Sequence, residues 1–105
     1  MTEQSTYLLT IVAESVLEER LLRDVVASGV SGWTVSPCRG ATSDTGHAGG
    51  EADIEGGNIR LEVLLPHSRL ESLWQVLETR YFSDYSVVAW SSEVQVRRPE
   101  KFGSA

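Results

Sequence analysis

The apolar positions of this chain fall into four short runs and two longer stripes. Residues 7–13, YLLTIVA, are almost continuously apolar, which predicts a strand buried on both faces. Ser15 and Glu18 follow at capping-box spacing, and Leu17, Leu21, Leu22 and Val25 recur at helical intervals, with Glu18, Glu19, Arg20 and Arg23 mostly on the other side. Ser28-Gly29 predicts the end of that helix, because glycine accepts the left-handed stop. Residues 32–36, GWTVS, are β-branched and aromatic and predict a second strand, stopped by Pro37. Residues 58–65, NIRLEVLL, alternate: Ile59, Leu61, Val63 and Leu65 share one face, Arg60, Glu62 and Leu64 the other. Ser68 and Glu71 repeat the capping-box spacing before a second helix, whose stripe is Leu70, Leu73, Trp74, Leu77 and Tyr81. Residues 86–96 give the last strand, and residues 97–105 are a polar tail.

Strand–helix–strand occurs twice in this order, which predicts an α+β, ferredoxin-like βαββαβ sandwich with both helices on one face of a four-stranded antiparallel sheet. The opposite face is then bare. Alternation assigns it Arg60, Glu62, Leu64, Val87, Ala89, Ser91 and Glu93, with part of strand 2. Such a mixture suits a sheet that packs against copies of itself, with Arg60 and the glutamates pairing across subunits. A solvated face in a monomer is the other reading.

Between strands 2 and 3 lies a segment that cannot pack. Residues 38–58, CRGATSDTGHAGGEADIEGGN, hold six glycines, four acids and no large apolar side chain except Ile54. Connections this long in small domains are usually functional or disordered.

Composition narrows the class. The chain has 105 residues, 41% of them apolar, enough for one domain (residues 1–105), with no run long enough to span a bilayer. Residues 1–6 lack the basic start and apolar run of a signal peptide, and a single cysteine fits a reducing compartment, so a cytoplasmic location is expected. A net charge of −6 argues against nucleic acid as a partner.

Catalytic and metal chemistry find little support. Cys38, His47 and Asp53 could be imagined as a nucleophilic set, but a glycine-rich loop supplies no rigid frame for nucleophile and base. Cys38, His47 and His67 lack the paired spacing of a zinc site, and Glu51, Asp53 and Glu55 lack an EF-hand pattern. No catalytic residue, metal site or covalent cofactor is expected. The turn Arg39-Gly40-Ala41-Thr42-Ser43 reads either as a generic turn or as an anion cradle of backbone N–H groups, hydroxyls and one cation; it is not a Walker loop. Arg97, Arg98 and Lys101 form the densest cationic cluster, either a solvated strand end or an anion clamp offered to a neighbouring subunit.

The stretches 31–35 (SGWTV), 58–64 (NIRLEVL), 80–85 (RYFSDY) and 92–94 (SEV) resemble PII-like signalling proteins over residues 8–96, most closely the branch associated with inorganic-carbon uptake and carboxysome gene neighbourhoods. The resemblance implies a non-enzymatic homotrimer that binds adenine nucleotide in clefts between subunits. Residues 39–57 are then its T-loop, which reports ligand occupancy to a partner. It further implies ADP, AMP or cyclic AMP as ligand, with bicarbonate as a candidate second ligand, and a membrane bicarbonate transporter as partner, which places the protein at the membrane periphery when bound. With the anion-binding chemistry above, the candidate nucleotide-binding set is Thr34, Ser36, Arg39, Gly40, Ser43, His47, Val88, Ala89, Arg97 and Arg98. Three departures bear on this. The loop has no tyrosine to modify, Ala41, Asp44 and His47 stand where the carbon-uptake relatives place early-loop cations, and the cysteine-bearing C-terminal motif is missing. Two other classes compete. A CutA-like trimeric metal-binding protein would carry clustered soft ligands and a shorter loop, and a small nucleotide hydrolase would need a placed base and a metal.

Overall fold

The computed structural model describes residues 5–30, 32–39 and 57–98. The elements are β1 (Thr6–Glu14), a single 3-10 turn (Ser15–Leu17), α1 (Glu18–Ala27), β2 (Trp33–Cys38), β3 (Asn58–Pro66), α2 (His67–Arg80) and β4 (Val88–Val94). The sheet order is β2-β3-β1-β4 and all three pairings are antiparallel. β1 and β2 are therefore parallel with β3 between them, and β3 and β4 are parallel with β1 between them. These are the two interlocked split βαβ units of the ferredoxin-like sandwich.

One face of the sheet forms the core. Leu9, Ile11 and Ala13 of β1 and Ile59, Leu61, Val63 and Leu65 of β3 are buried, with Leu21 and Val25 of α1 and Leu70, Leu73 and Leu77 of α2. The alternation of β3 and the helical stripes appear as the sequence implies. Gly29, at φ 89°, ends α1 as expected.

Several expectations are corrected. The helix starts are not where the capping-box spacing puts them: the N-cap positions are Glu14 before the 3-10 turn, Leu17 before α1 and Pro66 before α2, and none of these three makes a side-chain cap hydrogen bond. Chain entry explains this. β1 passes into a 3-10 turn that shifts the helix start beyond Ser15, and α2 begins at His67, so Ser68 already lies inside the first turn and its carbonyl accepts from Ser72 Oγ. β2 runs through Pro37 to Cys38, because on an edge strand a missing N–H can face solvent.

The largest correction concerns β4. Ala89 pairs with Ile11, Ser91 with Leu9 and Glu93 with Tyr7, so these residues lie on the helix-covered face, as does buried Val87 in parity. The bare face takes Val88, Trp90, Ser92 and Val94 instead. VVAW is apolar at every position, so alternation alone cannot choose the parity; pairing with β1 does.

The two helices run antiparallel and are tied to each other near both ends. At the end of α1, Arg69 Nη1 donates to the Ser28 carbonyl oxygen at 3.0 Å. At the end of α2, the Tyr81 hydroxyl donates to Asp24 Oδ2 at 2.6 Å and Arg80 Nη1 to Asp24 Oδ1 at 3.0 Å. Arg20 donates to the Tyr85 hydroxyl at 2.7 Å and lies 5.0 Å from the Tyr81 ring centroid and 5.2 Å from that of Tyr85. Burial, reinforced by the bond to Asp24, pushes the Tyr81 phenol up to about 12. The RYFSDY stretch thus supplies a clasp between helices.

This clasp has a pH signature. The Tyr81 phenol titrates near ~10 when unfolded and about 12 when folded. Its contribution is therefore fully present below about pH 10 and lost as pH rises through about 12. Tyr81→Phe should cost about 1–2 kcal/mol at neutral pH and should flatten the fall in stability above pH 10, measured by urea denaturation across pH 7–11.5. An unchanged fall in the variant would assign it to another group.

Candidate functional site

The bare face can be read row by row across the strands. Thr34 opposes Glu62, Glu62 opposes Thr10, and Thr10 opposes Trp90. The next row toward the loop is Ser36, Arg60, Val12 and Val88; on the other side Leu64 opposes Leu8, and Leu8 opposes Ser92. Trp90 is 50% exposed and Val88 37%. An indole and five aliphatic side chains (Leu8, Val12, Leu64, Val88, Val94) interleaved with hydroxyls and two charges form a surface suited to another protein surface rather than to water.

The loop leaves this face from one end of β2 and returns at the start of β3. Cys38 and Asn58 are paired, as are Asn58 and Glu14, so the loop base is built from adjacent strands. Gly57, at φ 68°, turns the returning chain, and its carbonyl accepts from the Ser15 N–H at 3.0 Å. The loop base is thereby tied to the turn that starts α1. A side chain at this φ costs roughly 1–2 kcal/mol.

The described candidate residues form three groups. Thr34, Ser36 and exposed Arg39 lie on or just beyond edge strand β2, with both hydroxyl residues on the bare face. Val88 and Ala89 open β4, the other edge; Val88 is on the bare face, whereas Ala89 packs against the core. Arg97 and Arg98 follow β4 and are exposed. Ser36 and Val88 share a row, yet three inter-strand steps separate them, about 14 Å. The row of Cys38 and Asn58 and the row of Pro66 and Val94 lie at opposite ends of the sheet, about 26 Å apart along β3. Arg39 and the pair Arg97–Arg98 extend from these opposite ends, so one subunit does not bring the three groups to one phosphate. Gly40, Ser43 and His47 lie outside the described residues, as do Ala41, Asp44, Glu51, Asp53, Glu55 and Lys101.

Among the described residues, no group of three or more His, Cys, Asp or Glu is placed to hold a metal ion, and no helix is long and apolar enough to cross a membrane. Cys38 is a half-buried free thiol at the loop base. His67 is exposed, 3.8 Å from Glu71 and ring to ring with Tyr7 at 5.7 Å, remote from the loop base. The sequence reading missed Leu8, Val12, Val88 and Trp90 as face residues and Asp24 as the centre of the helix clasp. The first omission had a local signal in the tryptophan two positions from Val88. The second had none, since Asp24 meets partners that lie 56 and 57 positions further along the chain.

The described residues form a ferredoxin-like sandwich with one open sheet face and a long connection between the second and third strands. The family model of nitrogen regulatory protein P-II matches residues 6–101, and the chain belongs to that family. Among solved structures it is similar to a PII-like signalling protein of Thermus thermophilus, at 38% identity and TM-score 0.79 over 97% of this chain and 99% of that one. It shares its fold with CPII of Thiomonas intermedia bound to ADP, AMP and acetate, at 23% identity and TM-score 0.80 over 99% and 100%. The same holds for CPII bound to ADP and bicarbonate, at 24% and TM-score 0.78 over 93% and 94%. No curated protein matches the chain at a significant level.

Gly57→Ala should destabilise the fold by roughly 1–2 kcal/mol, and Gly57→Asn by less, since asparagine tolerates the left-handed region. Denaturant midpoints of the three proteins check this; equal midpoints would mean that the turn relaxes to negative φ at no cost.

Proposed function

We propose that this member of the PII family is a homotrimeric, non-enzymatic sensor that binds ADP or AMP, with bicarbonate as a second ligand, in clefts between subunits. Through the loop of residues 39–57 it regulates a membrane transporter of inorganic carbon. The observation that carries the reading is the distribution of the candidate residues over opposite edges and opposite ends of a sheet whose second face is bare. Thr34, Ser36 and Arg39 at one edge can meet cations such as Arg97 and Arg98 only when those belong to a neighbour. CPII, which shares this fold, is bound to ADP, AMP and bicarbonate in one of its solved structures. The transporter rests on the likeness to the carbon-uptake branch and is the outermost part of the proposal.

In this reading the β2 end and the loop turn supply hydroxyls, backbone N–H groups and the Arg39 guanidinium to phosphate, the neighbouring tail adds charge, and Val88 at the mouth of β4 gives apolar contact to the base. Asp44 sets the preference, because a carboxylate in the turn penalises each added phosphate. Monophosphate and diphosphate are then favoured over triphosphate.

Calorimetric titration of wild type with ATP, ADP, AMP and cyclic AMP, with and without bicarbonate, tests the ligand assignment. Arg39→Ala should weaken ADP binding roughly ten- to a hundredfold, the loss of about 1.5–3 kcal/mol for a charge-assisted bond. Asp44→Arg should tighten binding, most for ATP. Constants that do not move in either variant would place the phosphate elsewhere and remove the support for this site.

A further inference from the structure

The bare face carries polar groups that find no partner among the described residues. Thr10 is only 3% exposed although it points away from the helices, and its hydroxyl makes no hydrogen bond among the described residues. Glu62, half-buried, stands directly opposite Thr10 on β3, and Arg60 lies two positions along the same face; neither forms an ion pair among the described residues. The apolar residues flank this pair on both sides: Leu8 with Leu64 on one, Val12 with Val88 on the other, and Trp90 beyond Thr10 in the same row.

We infer that Glu62 and Thr10 form a polar pin that sets the register in which copies of this chain pack through their bare sheet faces. The inference rests on the trimeric reading above and concerns which of its contacts specify it. The occupant of the face is a second copy, because the face carries one acid and one base two positions apart, so that a copy offers each the opposite charge.

Apolar contact is non-directional. Leucine, valine and indole surfaces would hold two sheets together in several registers that differ by a strand step or a residue pair. A buried hydroxyl or carboxylate left without a partner costs free energy in each wrong register, and only the matched one satisfies it. The pin therefore acts by raising the competitors, and replacing it with apolar side chains need not loosen the assembly.

Sedimentation velocity and thermal unfolding of the full chain test this with wild type, Thr10→Ser, Thr10→Val, Glu62→Leu and the double variant Thr10→Val/Glu62→Leu. Wild type and Thr10→Ser should give one trimeric species. The double variant should stay folded by circular dichroism, with an unfolding midpoint equal to or above that of wild type, yet spread over several species, the trimer falling to about half of the protein. The single substitutions should fall between. A double variant that remains one trimer, or that dissociates to monomer with a lowered midpoint, overturns the pin and makes the two residues neutral or merely cohesive. A wild-type protein that sediments as a monomer instead overturns the trimeric reading beneath it.

Discussion

Two helices can cover one face of a four-stranded sheet, and the described residues form only two. Everything else in the molecule answers that shortage. The covered face holds the leucine and valine ladder of β1 and β3, and the helices lock to each other through Arg69, Asp24 and Tyr81 so that the cover is rigid. The described residues leave the second face without a cover. Because the outer strands β2 and β4 carry the candidate ligand-binding residues, whatever completes the face also decides whether those residues converge.

The same constraint explains what the sequence could reveal. β3 reads cleanly because charges alternate with aliphatics, so Ile59, Leu61, Val63 and Leu65 announce the covered side without help. β4 begins VVAW, apolar at each step, and its parity is decided by hydrogen bonds to β1, a strand at the other end of the chain. Capping boxes misled for a related reason. Their spacing is local, but where a helix starts depends on how the preceding strand leaves the sheet, and here a 3-10 turn at one end and Pro66 at the other moved both starts.

The candidate site was legible as a list and illegible as a geometry. Hydroxyls near the end of β2, a guanidinium at Arg39 and cations beyond β4 can be picked out by type. Their separation cannot, since it follows from strand order: β2 and β4 are remote because β3 and β1 lie between them. The RYFSDY stretch shows the converse. It is the most distinctive segment by resemblance, yet Tyr81 and Tyr85 serve the packing of α1 on α2. A distinctive stretch of sequence can therefore owe its character to packing between helices.

The clamped base of the excursion has an evolutionary corollary. Cys38 and Asn58 are cross-strand partners, so the loop ends sit about 5 Å apart whatever length of chain joins them. Closing a longer loop across such a fixed gap is inexpensive: doubling its length adds only about 0.6 kcal/mol of closure entropy. Insertions and deletions there leave the ladder, the helix clasp and the bare face untouched. A lineage carrying this scaffold can therefore rewrite the loop, in length as well as in letters, far faster than it can alter the body that holds it.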